Sequence, residues 1–121
     1  MSDVILFVYG TLRPGESQAW RLGDSQPLGP ATTTPEYTLI DLGPYPAMAP
    51  GGHQAVVGDL VSVSARTLAD LDEFEGALYH RAEITLSGRD TRALAYLVTP
   101  SFASGRPAVA SSDWTTRARR K

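Results

Sequence analysis

Apolar residues along this chain fall in short runs separated by Gly and Pro, a spacing that predicts strands more than long helices. Residues 3–8, DVILFV, carry an apolar run of strand length from Val4 to Val8, expected to be buried on both faces and ended by Gly10. Residues 28–33 and 37–42 read as two further strands around Pro35. Residues 55–63 are rich in valine and fit another strand, in which Gly58 marks a bulge or the close approach of another backbone. In residues 80–87, Arg81, Glu83 and Thr85 alternate with Ala82, Ile84 and Leu86. The turn Ser87-Gly88-Arg89-Asp90 then leads into residues 91–98, predicting a hairpin of two half-exposed strands.

Helical periodicity is clear in one segment, ARTLADLDEFE at 65–75, with Ser64 as a cap before it and Gly76 as a stop after it. At about 100° per residue, Glu75 lies roughly 20° from Leu68 and about 40° from Leu71, inside the apolar stripe. Asp70 and Glu73 fall on the opposite side and Asp72 flanks the stripe, so Glu75 is the acid the pattern places on the buried face, where its pKa should rise. The same position also suits a helix end frayed into solvent, or one paired with Arg81. Residues 16–22 predict a second, short helix. The stretch GPYPAMAPGG at 43–52 reads as a rim loop whose φ angles its prolines largely preset. Beyond Pro100 the chain is rich in Ser, Gly, Pro and Ala, with Trp114 as its large apolar anchor before RARRK. Residues 101–121 are therefore expected to wrap the surface of a single domain spanning 1–121. With no internal repeat, the elements predict a mixed α+β fold: a small, curled or barrel-like sheet with one main helix.

Composition narrows the chemistry. A net charge of -2 gives no sign of a nucleic-acid or membrane partner, so a small molecule is the expected ligand. The absence of cysteine removes disulfide, thiol and cysteine-zinc chemistry and is compatible with a reducing compartment. The N-terminal pattern lacks the features of a signal peptide, and a cytoplasmic location is expected. GTLRPGE lacks the Gly-Lys-Ser/Thr ending of a phosphate loop, and Gly23-Asp24-Ser25 lacks the strand-to-turn setting of a nucleophile, so it reads as loop. His53 and His80 have no neighbouring ligand pattern, and no metal or other cofactor is expected. Arg117, Arg119, Arg120 and Lys121 read as a solvated basic end. Among the aromatic residues Trp20, Tyr45 and Trp114, only Tyr45 is retained as a rim contact of a binding groove. A backbone turn at Tyr9-Gly10-Thr11-Leu12, at the end of the first strand, offers N–H groups that suit an anionic oxygen.

FVYGTLRPG near the start resembles the signature of the γ-glutamylcyclotransferase-like (AIG2-like) superfamily, most closely its γ-glutamylamine cyclotransferase branch. Further matches follow in family order: GPYPAM at 43–48, VGDL at 57–60, LDEFEG with Tyr79 and Arg81, and SDW at 112–114. The resemblance implies a small barrel-like α+β domain whose cavity joins the opening loop to one glutamate. It places the general acid/base on Glu75 and the substrate grip on Tyr9, Gly10, Thr11 and Leu12. The implied reaction is cofactor-independent cyclisation of a small γ-glutamyl amine or amino acid, releasing 5-oxoproline and a free amine. The alternative is a non-catalytic domain that binds a small metabolite on the same fold.

Overall fold

The computed structural model describes residues 3–23 and 25–116, so Asp24 and the basic end with Arg117, Arg119, Arg120 and Lys121 lie outside the described residues. The element order is β1 (Val4–Val8), β2 (Gln26–Thr32), β3 (Tyr37–Asp41), β4 (Pro46–Pro50), β5 (Val57–Val63), α1 (Ala65–Glu75), β6 (His80–Ile84), β7 (Ala93–Leu97) and α2 (Pro100–Ala103). Two 3₁₀ turns, Ala19–Leu22 and Trp114–Thr116, complete it. The strands form one sheet in the order β2-β5-β1-β7-β4-β3, with β6 branching onto β7. This is the expected mixed α+β architecture with one main helix. The strand ladders do not close; an isolated bridge, Thr33 to Leu86, links the end of β2 to the continuation of β6.

β1 is buried on both faces, as its unbroken apolar run requires. Leu6 and Val8 join Val61, Val63, Leu68, Leu71 and Tyr96 in a core beneath α1, while Phe7 and Tyr9 join Leu39, Met48, Leu60, Leu97 and Trp114 on the other side. β1 runs antiparallel to β5 and parallel to β7, so both of its edges are covered as well. Gly58 marks a close approach: a Cβ there would strike the Val8 carbonyl oxygen and come within 2.6 Å of the Phe7 ring. The bulge in that ladder is on the partner strand, between Pro27 and Gly29 of β2.

The helix has the predicted bounds. Ser64 accepts a hydrogen bond from the Thr67 N–H at 3.2 Å, and Gly76 leaves the last turn at φ +71°. Residues 16–22 contribute only the 3₁₀ turn, whose Leu22 packs beside Leu68 and Leu71.

Two expectations need correction. The stretch 43–52 is not all loop, because its centre is β4, paired antiparallel with β3 and parallel with β7. Its prolines occupy the ends of the strand, Pro46 opposite Asp41 and Pro50 opposite Tyr37, which leaves Ala47, Met48 and Ala49 to be buried between the neighbours. The hairpin strands are also not alike. β6 is largely exposed, but β7 is buried along most of its length because β1, β4 and β6 all pair with it. Residues 107–109 run along β3, with the Asp41 N–H donating to the Pro107 carbonyl at 2.9 Å and the Val109 N–H to the Leu39 carbonyl at 2.7 Å. Trp114 beyond them is 1% exposed in the core.

Candidate active site

The turn after β1 is shaped by what packs on it. Gly10 has no positive φ; a Cβ there would lie 2.5 Å from Pro46 Cγ, so glycine is needed for Pro46 to close on the end of β1. The Arg13 N–H donates to the Gly10 carbonyl at 3.0 Å and the Gln18 N–H to the Thr11 carbonyl at 2.8 Å, which folds residues 10–18 back on themselves. Among the described residues, no group accepts a hydrogen bond from the N–H of Gly10, Thr11 or Leu12. Three neighbouring amides at the wall of a cavity are thus left available to an oxygen ligand.

Arg13 fixes this turn from behind. Its Nε lies 2.7 Å from Asp59 Oδ2 on β5 and its Nη1 2.7 Å from Asp113 Oδ1, with only 12% of its side chain exposed. Burial works against the cation, but the two carboxylates hold its pKa above the usual value. Three separate stretches of the sequence, LRPG, VGDL and SDW, meet at this one guanidinium.

The last turn of α1 forms the opposite wall. Glu75 stands one turn beyond Leu71 and is half-buried. Among the described residues it has neither a hydrogen-bond nor an ion-pair partner. Burial raises its pKa from 4.5 to about 7, with the charge of Arg21 pulling the other way. Arg81 is not its partner: that guanidinium makes two 2.9 Å bonds to Asp72, whose pKa those bonds lower. Tyr96 also donates to Asp72, at 2.6 Å.

A cavity of about 540 Å³ joins these walls and is lined by Tyr9, Gly10, Thr11 and Leu12 from the turn, Tyr45 from the loop before β4, and Glu75 from the helix. All six residues singled out in the sequence therefore border one space. Tyr45 is 42% exposed and sits at its edge. The Tyr9 side chain, however, is built into the core. Its hydroxyl donates to the Tyr96 carbonyl at 2.6 Å and accepts from the Met48 N–H at 3.1 Å, and burial pushes its pKa well up.

Sequence reasoning missed Tyr79 and Tyr96 as cavity residues. The Tyr79 hydroxyl donates to the Pro46 carbonyl at 2.9 Å, tying the chain after the helix to the start of β4, and its pKa is raised by burial and by the Glu75 charge. The position of Tyr79 four residues past Glu75 was the available signal, whereas nothing local marked Tyr96. Among the described residues no group of three His, Cys, Asp or Glu side chains is placed to hold a metal ion, and no helix is long and apolar enough to cross a membrane.

A family model described as gamma-glutamyl cyclotransferase, AIG2-like, matches residues 6–116. A Vibrio cholerae protein provisionally named a gamma-glutamylcyclotransferase is 52% identical over 71 residues, which are 59% of this chain and 61% of that protein. The gamma-glutamylaminecyclotransferase A of Danio rerio is 35% identical over 92 residues, 67% of this chain and 57% of that protein. The matches thus span about three fifths of these relatives' length. The crystal structure of an AIG2-like protein from Mus musculus has the same fold, with a TM-score of 0.80 at 20% identity, covering 100% of this chain and 98% of that one.

Proposed function

Since this chain belongs to the gamma-glutamyl cyclotransferase, AIG2-like, family, we propose that it cyclises the γ-glutamyl group of a small γ-glutamyl amine or amino acid, releasing 5-oxoproline and a free amine, with Glu75 as general acid/base. The observation that carries this reading is a half-buried, unpartnered carboxyl with a pKa near 7, bordering the same cavity as three unpartnered backbone amides.

Glu75 accepts a proton from the substrate's α-ammonium. The freed amine attacks its own γ-carbonyl carbon, so that a C–N bond forms and the five-membered ring closes. The bond from that carbon to the leaving nitrogen then breaks as Glu75 returns its proton to that nitrogen. Ring closure strips a second proton from the attacking nitrogen; it passes through solvent to the departing amine, which leaves as an ammonium ion. Because the attack is intramolecular, the site need only hold the glutamyl chain bent, and the fixed cavity walls suit that task. An ordinary glutamate is a weak base toward an ammonium, and a pKa near 7 narrows the mismatch. The amides of Gly10, Thr11 and Leu12 hold an anionic oxygen of the substrate, its α-carboxylate or the developing oxyanion. No step calls on a metal or other cofactor.

The test is to incubate the protein and its Glu75→Gln variant with a panel of γ-glutamyl amines and γ-glutamyl amino acids and to measure 5-oxoproline by mass spectrometry. Release by the wild type, falling by roughly a thousandfold in Glu75→Gln with the circular dichroism unchanged, is expected. Most of the activity surviving in the variant would remove Glu75 from the mechanism. Binding of 5-oxoproline with no turnover across the panel would instead favour the metabolite-binding alternative.

A further inference from the structure

Beside the cavity lies a cluster to which the reaction above assigns no contact with substrate. Arg21 carries its guanidinium carbon 3.7 Å from the centre of the Phe74 ring and 4.3 Å from that of Trp20, and its Nε donates to Gln18 Oε1 at 2.7 Å. Two of those partners, Gln18 and Phe74, line the cavity, and Phe74 immediately precedes Glu75. Among the described residues no carboxylate or carbonyl accepts from the Arg21 Nη atoms. Trp20, outside the cavity lining, is 68% exposed, and the lining residue Leu78 is 40% exposed. Beside the cavity, Arg21 is therefore a ring-supported cation whose Nη edge no described carboxylate takes, next to the exposed apolar side chains of Trp20, Phe74 and Leu78.

We infer that Arg21, held by Trp20, Phe74 and Gln18, is a specificity-determining residue that takes the carboxylate of the leaving group, with Trp20, Phe74 and Leu78 receiving an apolar side chain next to it. The preferred substrates are accordingly γ-glutamyl amino acids with an aromatic or large aliphatic side chain, ahead of γ-glutamyl derivatives of plain amines. This rests on the cyclotransferase reading of the cavity. The chemistry follows from the geometry. The assignment places the glutamyl group between the amide turn and Glu75 and its leaving group toward Gln18 and Phe74, the two lining residues that Arg21 touches. A guanidinium whose Nε is occupied and whose faces rest on rings still offers its Nη edge, which suits a carboxylate. A Lys would lack that planar fork, and its compact charge would be less well held by the rings.

The matched pair γ-glutamyl-phenylalanine and γ-glutamyl-phenethylamine differs only in the leaving-group carboxylate. Calorimetric binding of both to the Glu75→Gln variant reads this contact without consuming substrate. The acid is expected to bind about tenfold tighter, equivalent to about 1.4 kcal/mol. In Glu75→Gln combined with Arg21→Gln that ratio should fall to about one, and with Arg21→Lys it should be intermediate, which separates loss of the fork from loss of folding. Equal binding of the pair, a preference for the amine, a preference that survives Arg21→Gln, or binding of neither compound would overturn the assignment. Wild-type turnover, measured alongside as 5-oxoproline release, tests the reaction separately. No release from any compound, together with an Arg21-dependent preference in binding, would sink the cyclotransferase reading and leave the carboxylate contact standing.

Discussion

With its carboxyl raised from 4.5 to about 7 by burial, Glu75 is better matched to an ammonium than an exposed glutamate, and the same burial penalises its ionised form in the fold. Two pH dependences follow. The rate needs the carboxylate, so kcat/KM should rise with pH through a midpoint near 7, and Arg21→Gln should move that midpoint upward by removing a charge that favours ionisation. Stability runs the other way. The folded state holds this proton more tightly than the unfolded chain does, so the contribution is fully present below about pH 4.5 and is lost as pH rises through about 7. Glu75→Gln removes the titration. Its unfolding free energy from urea titration should match that of the wild type near pH 4 and exceed it near pH 8 by about 2 kcal/mol, somewhat under the shift valued at 1.36 kcal/mol per unit. A gap between the two proteins that does not change with pH would show that Glu75 is not the group strained by burial. Tyr9 illustrates the opposite use of a site residue. Its backbone borders the cavity, while its hydroxyl joins β4 to β7 and satisfies two buried main-chain groups.

Elements far apart in sequence meet at Arg13, and the turn that carries the free amides is held through it. A largely buried cation between two carboxylates is worth more than a surface pair, and its removal leaves Asp59 and Asp113 facing each other without compensation. Arg13→Gln is therefore expected to lose about 1–3 kcal/mol in urea unfolding, between the cost of breaking a surface pair and that of breaking a fully buried one. It should also lower kcat/KM at least tenfold as the turn loosens, with the larger part of that loss in KM. Adding Asp113→Asn to Arg13→Gln should cost less than Asp113→Asn does in the wild type, because the pair is coupled; strictly additive losses would mean that the bridge does not hold the turn. The parts of these elements legible in the sequence were those that local chemistry specifies. β1 was marked by its unbroken apolar run, α1 by its cap and glycine stop, and Glu75 by its angle to Leu68 and Leu71. β4 was hidden because three prolines and three glycines in GPYPAMAPGG signal a loop, and only the strands on either side show that the prolines fall at its ends. β7 was mistaken for a half-exposed strand because alternation was read from its hairpin partner, whereas its burial depends on β1 and β4, which are remote in sequence. The Arg13 bridge was invisible for the same reason: each of its three motifs is unremarkable alone.

For the molecule as a whole, an open curled sheet must protect its far edge, and residues 107–114 are placed to do so. They bond to β3 through Asp41, Leu39 and Val109, and the Val57 N–H at the start of β5 donates to the Ser112 carbonyl at 2.9 Å. Gln54 fastens the same strap from beneath, accepting from the Leu39 N–H at 2.8 Å and donating to the Val109 carbonyl at 2.7 Å and to Ser112 Oγ at 3.0 Å. The strap ends in Trp114, packed in the core with Phe7, Leu39 and Met48. Its neighbour Asp113 reaches Arg13, so one segment covers an edge, fills the core and braces the site. Trp114→Ala should therefore cost about 3–5 kcal/mol, as truncations of a buried aromatic side chain do. The loss should not be evenly spread. If the strap detaches as a unit, hydrogen exchange in Trp114→Ala will accelerate first at the amides of Val57 and Val109, whose bonds it makes, while amides of β1 at the sheet centre keep their protection. Activity should then fall under conditions where the sheet is still folded, because the Arg13 turn loses Asp113 before the core opens. Uniform acceleration across the sheet, with activity and fold lost together, would mean instead that residues 107–114 are inseparable from the core and that the site has no brace of its own.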